Sequence, residues 1–422
     1  MNTLTLDKES LLKDSKFFCM APWIHMHVWP NGRAFPCCLA DTADTYGNTN
    51  RESIHELWNS DLAKKLRRNM IANKPSNACK RCYELESDAH AYTLRKNMNN
   101  KFGHHFSKVL DTHEDGSHDN VNFTYMDLRF SNLCNLSCRS CGPTFSTVWY
   151  DDFIKAFGYV NPEDAEQKYI QLKNNPNFLD ELWPLLDTVE EVYWAGGEPL
   201  VTAEHWDIMN HWIKTGRAKD ISINYTTNFT NLYYKKQCVI DLWKEFKDVR
   251  VAASLDGSYE RAEYIRKGTV WNDVVENRKK MLHDAPNIYF EITPTISLMN
   301  ILHIPDFHKE WLELGLLSDP THFRINNLLE PRFFSTQCLP AEYKKVVTQR
   351  WNEHIDWLRE RQYNLDYNGW ISSAMGIIEF MNKEDCSDTL KQTLIELERW
   401  DVIRNEQWWT SLPELKFLED YK

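Results

Sequence analysis

The chain has 422 residues, of which 42% are hydrophobic and 13% aromatic, a composition that is globular and long enough for two or three domains. Its formal charge of −12 argues against nucleic-acid binding through a basic surface. Residues 1–16 lack the apolar core of a secretory signal. No apolar run approaches the ~20 residues that span a bilayer, so a soluble, cytoplasmic protein is expected. In a reducing compartment its eleven cysteines point to metal rather than disulfides. Eight lie in two groups, Cys19 to Cys82 and Cys134 to Cys141, while Cys238, Cys338 and Cys386 are isolated and read as small core residues.

The first cysteine, Cys19, precedes an alternating segment, 24–29, that reads as a strand. Pro30-Asn31-Gly32 is a turn, and residues 33–36 return to Cys37-Cys38, which brings Cys19 near Cys37. A helix is expected over 53–72, with Leu57, Trp58, Leu62, Leu66 and Ile71 on its apolar stripe. It delivers the chain to Cys79-Lys80-Arg81-Cys82. Four thiolates of this kind ligate a [4Fe–4S] cube or one zinc ion. The pieces C…G-x4-C, Gly47-Asn48, residues 53–60 and C-x2-C resemble the twitch or SPASM module of radical S-adenosylmethionine (SAM) enzymes. That resemblance implies an auxiliary [4Fe–4S] cluster on Cys19, Cys37, Cys79 and Cys82. The module here precedes the expected barrel, as in a subgroup with an N-terminal twitch domain. Cys38 falls on the opposite face from Cys37 if both lie on a strand. His25 and His27 share a strand face and read as surface or packing residues. Residues 100–120 are polar and read as a linker, whose four histidines match no metal-ligand spacing.

From residue 121 short apolar strands alternate with helical periods. Strands are expected at 121–130, 191–195, 221–227, 249–255, 288–296 and 321–328, with helices such as 203–214, 234–246, 271–282 and 304–314 between them. Six β-α repeats imply parallel strands and right-handed crossovers. Sites on such sheets lie at the carboxyl ends of the strands.

The loop after the first strand is Cys134-Asn135-Leu136-Ser137-Cys138-Arg139-Ser140-Cys141. Three thiolates can hold three irons of a cube and leave the fourth without a protein ligand. This C-x3-C-x2-C run resembles the signature of the radical SAM superfamily. The second strand ends at Gly196-Gly197-Glu198, similar to the motif that holds the SAM amino group; the glycines permit close backbone approach and the carboxylate can pair with a cation. After the third strand, Thr226-Thr227-Asn228 stands where relatives carry Thr-Asn-Gly, with Phe229 in place of the glycine. The fourth ends in Ser254-Leu255-Asp256-Gly257, followed by Arg266, and resembles an S-x-D-G…R pattern whose polar groups meet the ribose and carboxylate of SAM. Capping and turn formation alone would also account for Ser254 and Asp256. Residues 293–297 align with a segment bordering the adenosine, and Asn326 and Asn327 lie at the sixth strand end. Residues 331–422 are mostly helical, with Val346, Trp351, Ile355 and Leu358 expected on one face, and pack against the open side of the barrel.

The resemblance thus implies an α/β chain: an N-terminal iron–sulfur domain (1–99), a linker (100–120), a partial (β/α)6 radical SAM barrel (121–330) and a C-terminal helical extension (331–422). It implies two [4Fe–4S] clusters and SAM, an external one-electron reductant, and hydrogen-atom abstraction from a peptide, protein side chain or small polar metabolite by the radical released on SAM cleavage. The alternative is an iron–sulfur electron-transfer or binding protein without radical chemistry. No catalytic side chain beyond the cofactor ligands is identified.

Overall fold

The computed structural model describes residues 7–87, 93–158, 176–361 and 366–421. They divide into two compact units. The first comprises Met1–Ser131, Ile170–Gly196 and Asp207–Ile223, and the second Asn132–Tyr169, Gly197–Trp206 and Asn224–Lys422. The division falls within the strand Ser222–Thr227. Among the described residues, no helix is long and apolar enough to cross a membrane.

In the first unit, His27–Val28 and Arg33–Phe35 form the expected antiparallel hairpin, and Gly47–Asn48 adds a third strand. Gly32 makes the turn at φ +85°, a backbone that favours glycine. The helix expected over 53–72 is two helices, Ile54–Trp58 and Asp61–Ile71. Ser53 and Glu56 form a capping box on the first, and the Ser60 side chain accepts from the Ala63 N–H to cap the second. A serine that caps competes with helix continuation, which explains the break.

Residues 100–120 depart from the expected linker. Leu94–Phe102 is a helix, Gly103–His105 a 3-10 turn and Ser107–Leu110 a further helical turn. Phe102, Phe106 and Val109 are buried, at helical spacing that the polar composition around them conceals.

The longer strands are Tyr125–Leu128, Glu191–Trp194, Ser222–Thr227, Asp248–Ala253 and Tyr289–Ile292. Tyr125–Leu128 runs parallel to Glu191–Trp194 within the first unit, and Asp248–Ala253 runs parallel to Tyr289–Ile292 within the second. The sixth expected strand is shorter: Asn326–Asn327 pairs in parallel with Thr295–Ile296, and a bridge joins Ile292 to Phe323. Helices Ala203–Lys214, Trp271–Asp284 and Ile304–Glu313 stand where the periodicity places them. The segment 234–246 instead opens with the small antiparallel pair Tyr233–Tyr234 and Gln237–Cys238, and its helix is confined to Val239–Trp243. This is the α/β class with parallel β-α repeats that the sequence implies.

The two faces of the strands differ. In the first unit Met126, Leu128, Val192 and Trp194 form a buried apolar face, with Trp194 edge-on to Trp212. The opposite face carries Tyr125, Asp127, Glu191 and Tyr193. In the second unit Val251, Ala253, Phe290 and Ile292 are buried, and Phe290 stacks on Trp311, while Ala252 and Glu291 face the other way. Parallel strands covered by helices on both faces are apolar throughout. Strands that alternate in this way present one polar face.

In the second unit the C-terminal helices are Ala341–Glu360, Asn368–Lys383 and Leu390–Arg404. The first buries Val347, Trp351, Ile355 and Leu358, whereas Val346 is 54% exposed. The expected face is therefore corrected by one residue at its start: of two adjacent valines, the one four residues before Trp351 faces the core.

Candidate functional site

In the first unit, Cys19, Cys37, Cys79 and Cys82 line one small cavity with Pro22, Met70, Leu94 and Arg95. Cys19 precedes the helix Ala21–Ile24, Cys37 ends the hairpin, and Cys79 and Cys82 flank the start of the helix Lys80–Ser87. Burial pushes all four thiols up, Cys79 to about 12. Bound as thiolates, they need a compensating cation, which a metal centre provides. Arg95 also faces them. Its guanidinium binds Glu86 and donates to the carbonyls of Ser15 and Phe18, and its charge favours the thiolates of Cys19 and Cys82. Nothing in the cysteine spacing flags Arg95.

Four thiols on one cavity suit either a [4Fe–4S] cube or one zinc ion.

Cys38 is outside this cavity and exposed. Its electrostatic neighbours are Asp127 and Arg129, on the polar face of the strand Tyr125–Leu128 and just beyond it. His25 and His27, read from sequence as surface or packing residues, are each 1% exposed, so the surface alternative is removed. The hairpin runs beside Tyr125–Leu128: the Thr124 N–H donates to the Ile24 carbonyl, and His27 Nδ1 lies 3.2 Å from Asp127 Oδ2. Arg129 makes a two-point contact with the same carboxylate, Nε to Oδ1 at 2.8 Å and Nη2 to Oδ2 at 3.2 Å. Burial opposes ionisation of Asp127, but His27 and Arg129 outweigh it and hold the carboxyl well below its usual range. Asp127→Asn removes the buried carboxylate that His27 and the half-buried Arg129 contact, and the expected loss is about 1.5–3 kcal/mol of stability. Thermal unfolding at neutral pH checks this. The depressed carboxyl also sets a sign: its contribution is present above the ordinary aspartate pKa and fades as pH falls below it.

In the second unit, the Cys134–Cys141 loop is pinned from two directions. Ser137–Cys138 pairs antiparallel with Arg266–Lys267, in register Cys138 to Arg266. Arg139, inside the motif, is fully buried; one Nη2 contacts Asp401 at 2.6 Å and Glu406 at 2.7 Å, and its guanidinium lies 3.6 Å from the Tyr264 ring centre. The Trp149 indole donates to the Cys138 carbonyl, and Trp149 meets Trp400 edge-on. The C-terminal helix thus fastens the loop, a role that its aromatic content alone does not reveal.

Burial raises Cys134 to about 11 and Cys141 to about 12, and raises Cys138. Two donors favour thiolates here: the Leu136 N–H, 3.5 Å from Cys134 Sγ, and Arg266 Nη1, 3.8 Å from Cys138 Sγ. The donor set fits a cluster with one open iron.

Glu198 follows two glycines. A Cβ on Gly197 would come within 2.2 Å of the Leu133 carbonyl oxygen, so its glycine is required by the loop's backbone, to which the Glu198 N–H also donates. The Glu198 carboxylate is 2% exposed and accepts from the Leu200 N–H, the Thr227 hydroxyl and the Asn228 N–H. Burial nevertheless pushes it up to about 7, against the pull of those donors and of Arg266. The Asn228 amide donates to Asn135 inside the cysteine loop. Phe229 has a left-handed backbone (φ +58°), and its ring is buried against Phe290.

Asp256 is 1% exposed and accepts from the Thr295 N–H, and its other oxygen lies 2.7 Å from Arg266 Nε. Burial disfavours the Arg266 charge, but Asp256 and Cys138 more than restore it. Ser254 bonds through its backbone to the Thr227 carbonyl. Asn326 and Asn327 lie in the short sixth strand. Cys134, Cys138, Cys141, Glu198, Asn228, Asp256 and Arg266 are therefore joined by direct contacts and charge interactions in one unit.

Residues 19–83 match the SPASM family model, described as an iron-sulfur cluster-binding domain. The match spans the hairpin, both short helices and the four cavity-lining thiols. No curated protein matches the chain. Among solved structures, native anSMEcpe with bound AdoMet and a Cp18Cys peptide is similar over 56% of this chain and 61% of that one, at 17% identity and a TM-score of 0.36. SuiB of Streptococcus suis bound to S-adenosylmethionine is similar over 80% of this chain and 68% of that one, at 12% identity and a TM-score of 0.33. The chain thus covers less than two thirds of the first of these structures.

Proposed function

We propose that this chain is a radical SAM enzyme. In this reading Cys134, Cys138 and Cys141 hold a [4Fe–4S] cluster at which SAM binds, and Cys19, Cys37, Cys79 and Cys82 hold a second. The observation that carries the proposal is the joining of the three-thiol loop, the buried Glu198 and the Asp256–Arg266 pair at adjacent strand ends of one unit, with Arg266 Nη1 3.8 Å from Cys138 Sγ. Electron carriage alone needs no buried carboxylate and guanidinium beside an incompletely ligated cluster.

A cluster bound there supplies one-electron cleavage of the SAM sulfonium to a 5′-deoxyadenosyl radical. The chain's own residues bind and orient. Glu198, held by three donors, accepts from the SAM amino group. Arg266, fixed by Asp256, offers its remaining donors to the SAM carboxylate. Asn228 ties the Glu198 turn to the cysteine loop. The proposed substrate is a peptide, a protein side chain or a small polar metabolite. Four thiols fill the ligand positions of the SPASM-like site, which favours electron transfer over substrate binding there. An external one-electron reductant is the remaining partner, and the proposed location is the cytoplasm.

Anaerobic incubation with SAM and dithionite tests the proposal, with 5′-deoxyadenosine as the expected product. Its absence from protein with both clusters filled removes the enzyme reading and leaves an iron–sulfur electron-transfer or binding protein. A second outcome concerns the SPASM-like site. Cys79→Ala with Cys82→Ala should leave SAM cleavage measurable and stop product formation once a substrate is known. Unchanged substrate turnover by that variant would exclude the electron role.

A further inference from the structure

We propose that His104, His105 and Glu190 form a surface site for one borderline divalent metal ion, represented by zinc, separate from both cysteine centres. The 3-10 turn Gly103–His105 places the two consecutive imidazoles side by side, ring centres 4.1 Å apart. Nε2 of His104 is 3.4 Å from one carboxylate oxygen of Glu190, and Nε2 of His105 is 2.8 Å from the other. The three residues place a ligand atom each within 4.8 Å of the others. Nitrogen and oxygen ligands at ~2.0–2.1 Å on tetrahedral zinc are separated by ~3.4 Å, so small side-chain adjustments bring these three to bonding distance.

The donor types agree with the spacing. Two imidazoles and one carboxylate suit zinc and its transition-metal neighbours rather than calcium or magnesium, which take oxygen ligands. The ligands come from two fixed elements. Phe102 and Phe106, both buried, hold the turn on either side. Glu190 is held by its backbone, its N–H donating to Thr124 and its carbonyl accepting from Ser222, at the head of the strand Glu191–Trp194. The nearby lysines are engaged elsewhere: Lys101 binds Glu191, and Lys108 donates to Asn122 and Thr124. The Glu190 carboxylate contacts the two imidazoles, with the Lys108 charge near enough to act on it and on His105. His104 is 60% exposed, which leaves room for water in the remaining coordination position. An ion here clamps the turn to the start of the strand.

The test uses cluster-loaded protein under anaerobic conditions, titrated with zinc alone. Wild type is expected to take up about one equivalent more than a His104→Ala/His105→Ala variant, and Glu190→Gln to weaken that binding at least tenfold. X-ray absorption at the zinc edge should show nitrogen and oxygen neighbours at about 2.0 Å. Both variants should keep wild-type iron content, since neither touches a cysteine. Equal zinc uptake by wild type and the double variant, or a purely sulfur shell around the bound zinc, would overturn the assignment. The readout does not depend on SAM cleavage, so the site stands or falls apart from the proposed enzyme activity.

Discussion

Replacing Cys134, Cys138 and Cys141 together with alanine should reduce 5′-deoxyadenosine formation to background while the protein keeps about half its iron, the share expected when one of two cubes is lost. The fold should survive, because the loop does not rely on metal alone. Cys138 lies in a backbone pair with Arg266, and Arg139 is anchored by Asp401, Glu406 and Tyr264. Far-ultraviolet circular dichroism and thermal unfolding separate loss of the site from loss of the fold. The iron that remains should depend on Cys19, Cys37, Cys79 and Cys82, and a combined variant of both sets should carry none. If 5′-deoxyadenosine forms undiminished without the three loop thiols, the assignment of the SAM site is wrong. Undiminished iron would show instead that the loop holds no cluster.

The second large effect belongs to Glu198. Its carboxyl is buried and pushed up to about 7. Accepting hydrogen bonds from the SAM amino group requires the ionised form. Affinity for SAM in the cluster-loaded protein is therefore expected to be constant above pH 7 and to fall about tenfold per unit below it, the slope of a single protonation. Glu198→Gln should bind weakly at every pH and abolish the step. Isothermal titration across pH 5.5–8.5, a window chosen about that value, reads both curves. A wild-type profile flat across this window, or a Gln variant with the same step, would remove Glu198 from the binding role.

The same shift bears on stability with a definite sign. The folded pKa lies above the ordinary glutamate value of 4.5. The ligand-free protein therefore binds more protons than the unfolded chain between that value and about 7. The stability associated with the neutral carboxyl is full below pH 4.5 and is lost as pH rises through 7, an effect on the order of 3 kcal/mol. A bound partner for the carboxylate offsets that cost. The stabilisation conferred by SAM should accordingly be greatest above pH 7.

What the sequence determines by itself is local. The spacing of Cys134, Cys138 and Cys141 marks one loop, because ligands of one cluster on one turn need few residues between them. Gly196-Gly197-Glu198 marks another, and the Asp256-Gly257 turn a third. Periodicity places Ala203–Lys214, Trp271–Asp284 and Ile304–Glu313, where an apolar stripe repeats at helical spacing. The break at Ser60 was open to the same reading, since a serine before Asp61-Leu62-Ala63 is a cap signal.

Tertiary structure alone decides which distant groups meet. Arg139 is one residue past Cys138, yet its partners are Asp401 and Glu406, more than 250 positions away. Asp127 becomes a buried charge because His27 lies on a hairpin about a hundred residues earlier. His104 and His105 gain Glu190 through the start of a strand 85 residues on. None of these pairs has a periodic or spacing signal, because groups far apart in sequence become neighbours only through the fold. Periodicity also leaves one ambiguity that packing resolves: of Val346 and Val347, adjacent and chemically identical, only the second has a core to face.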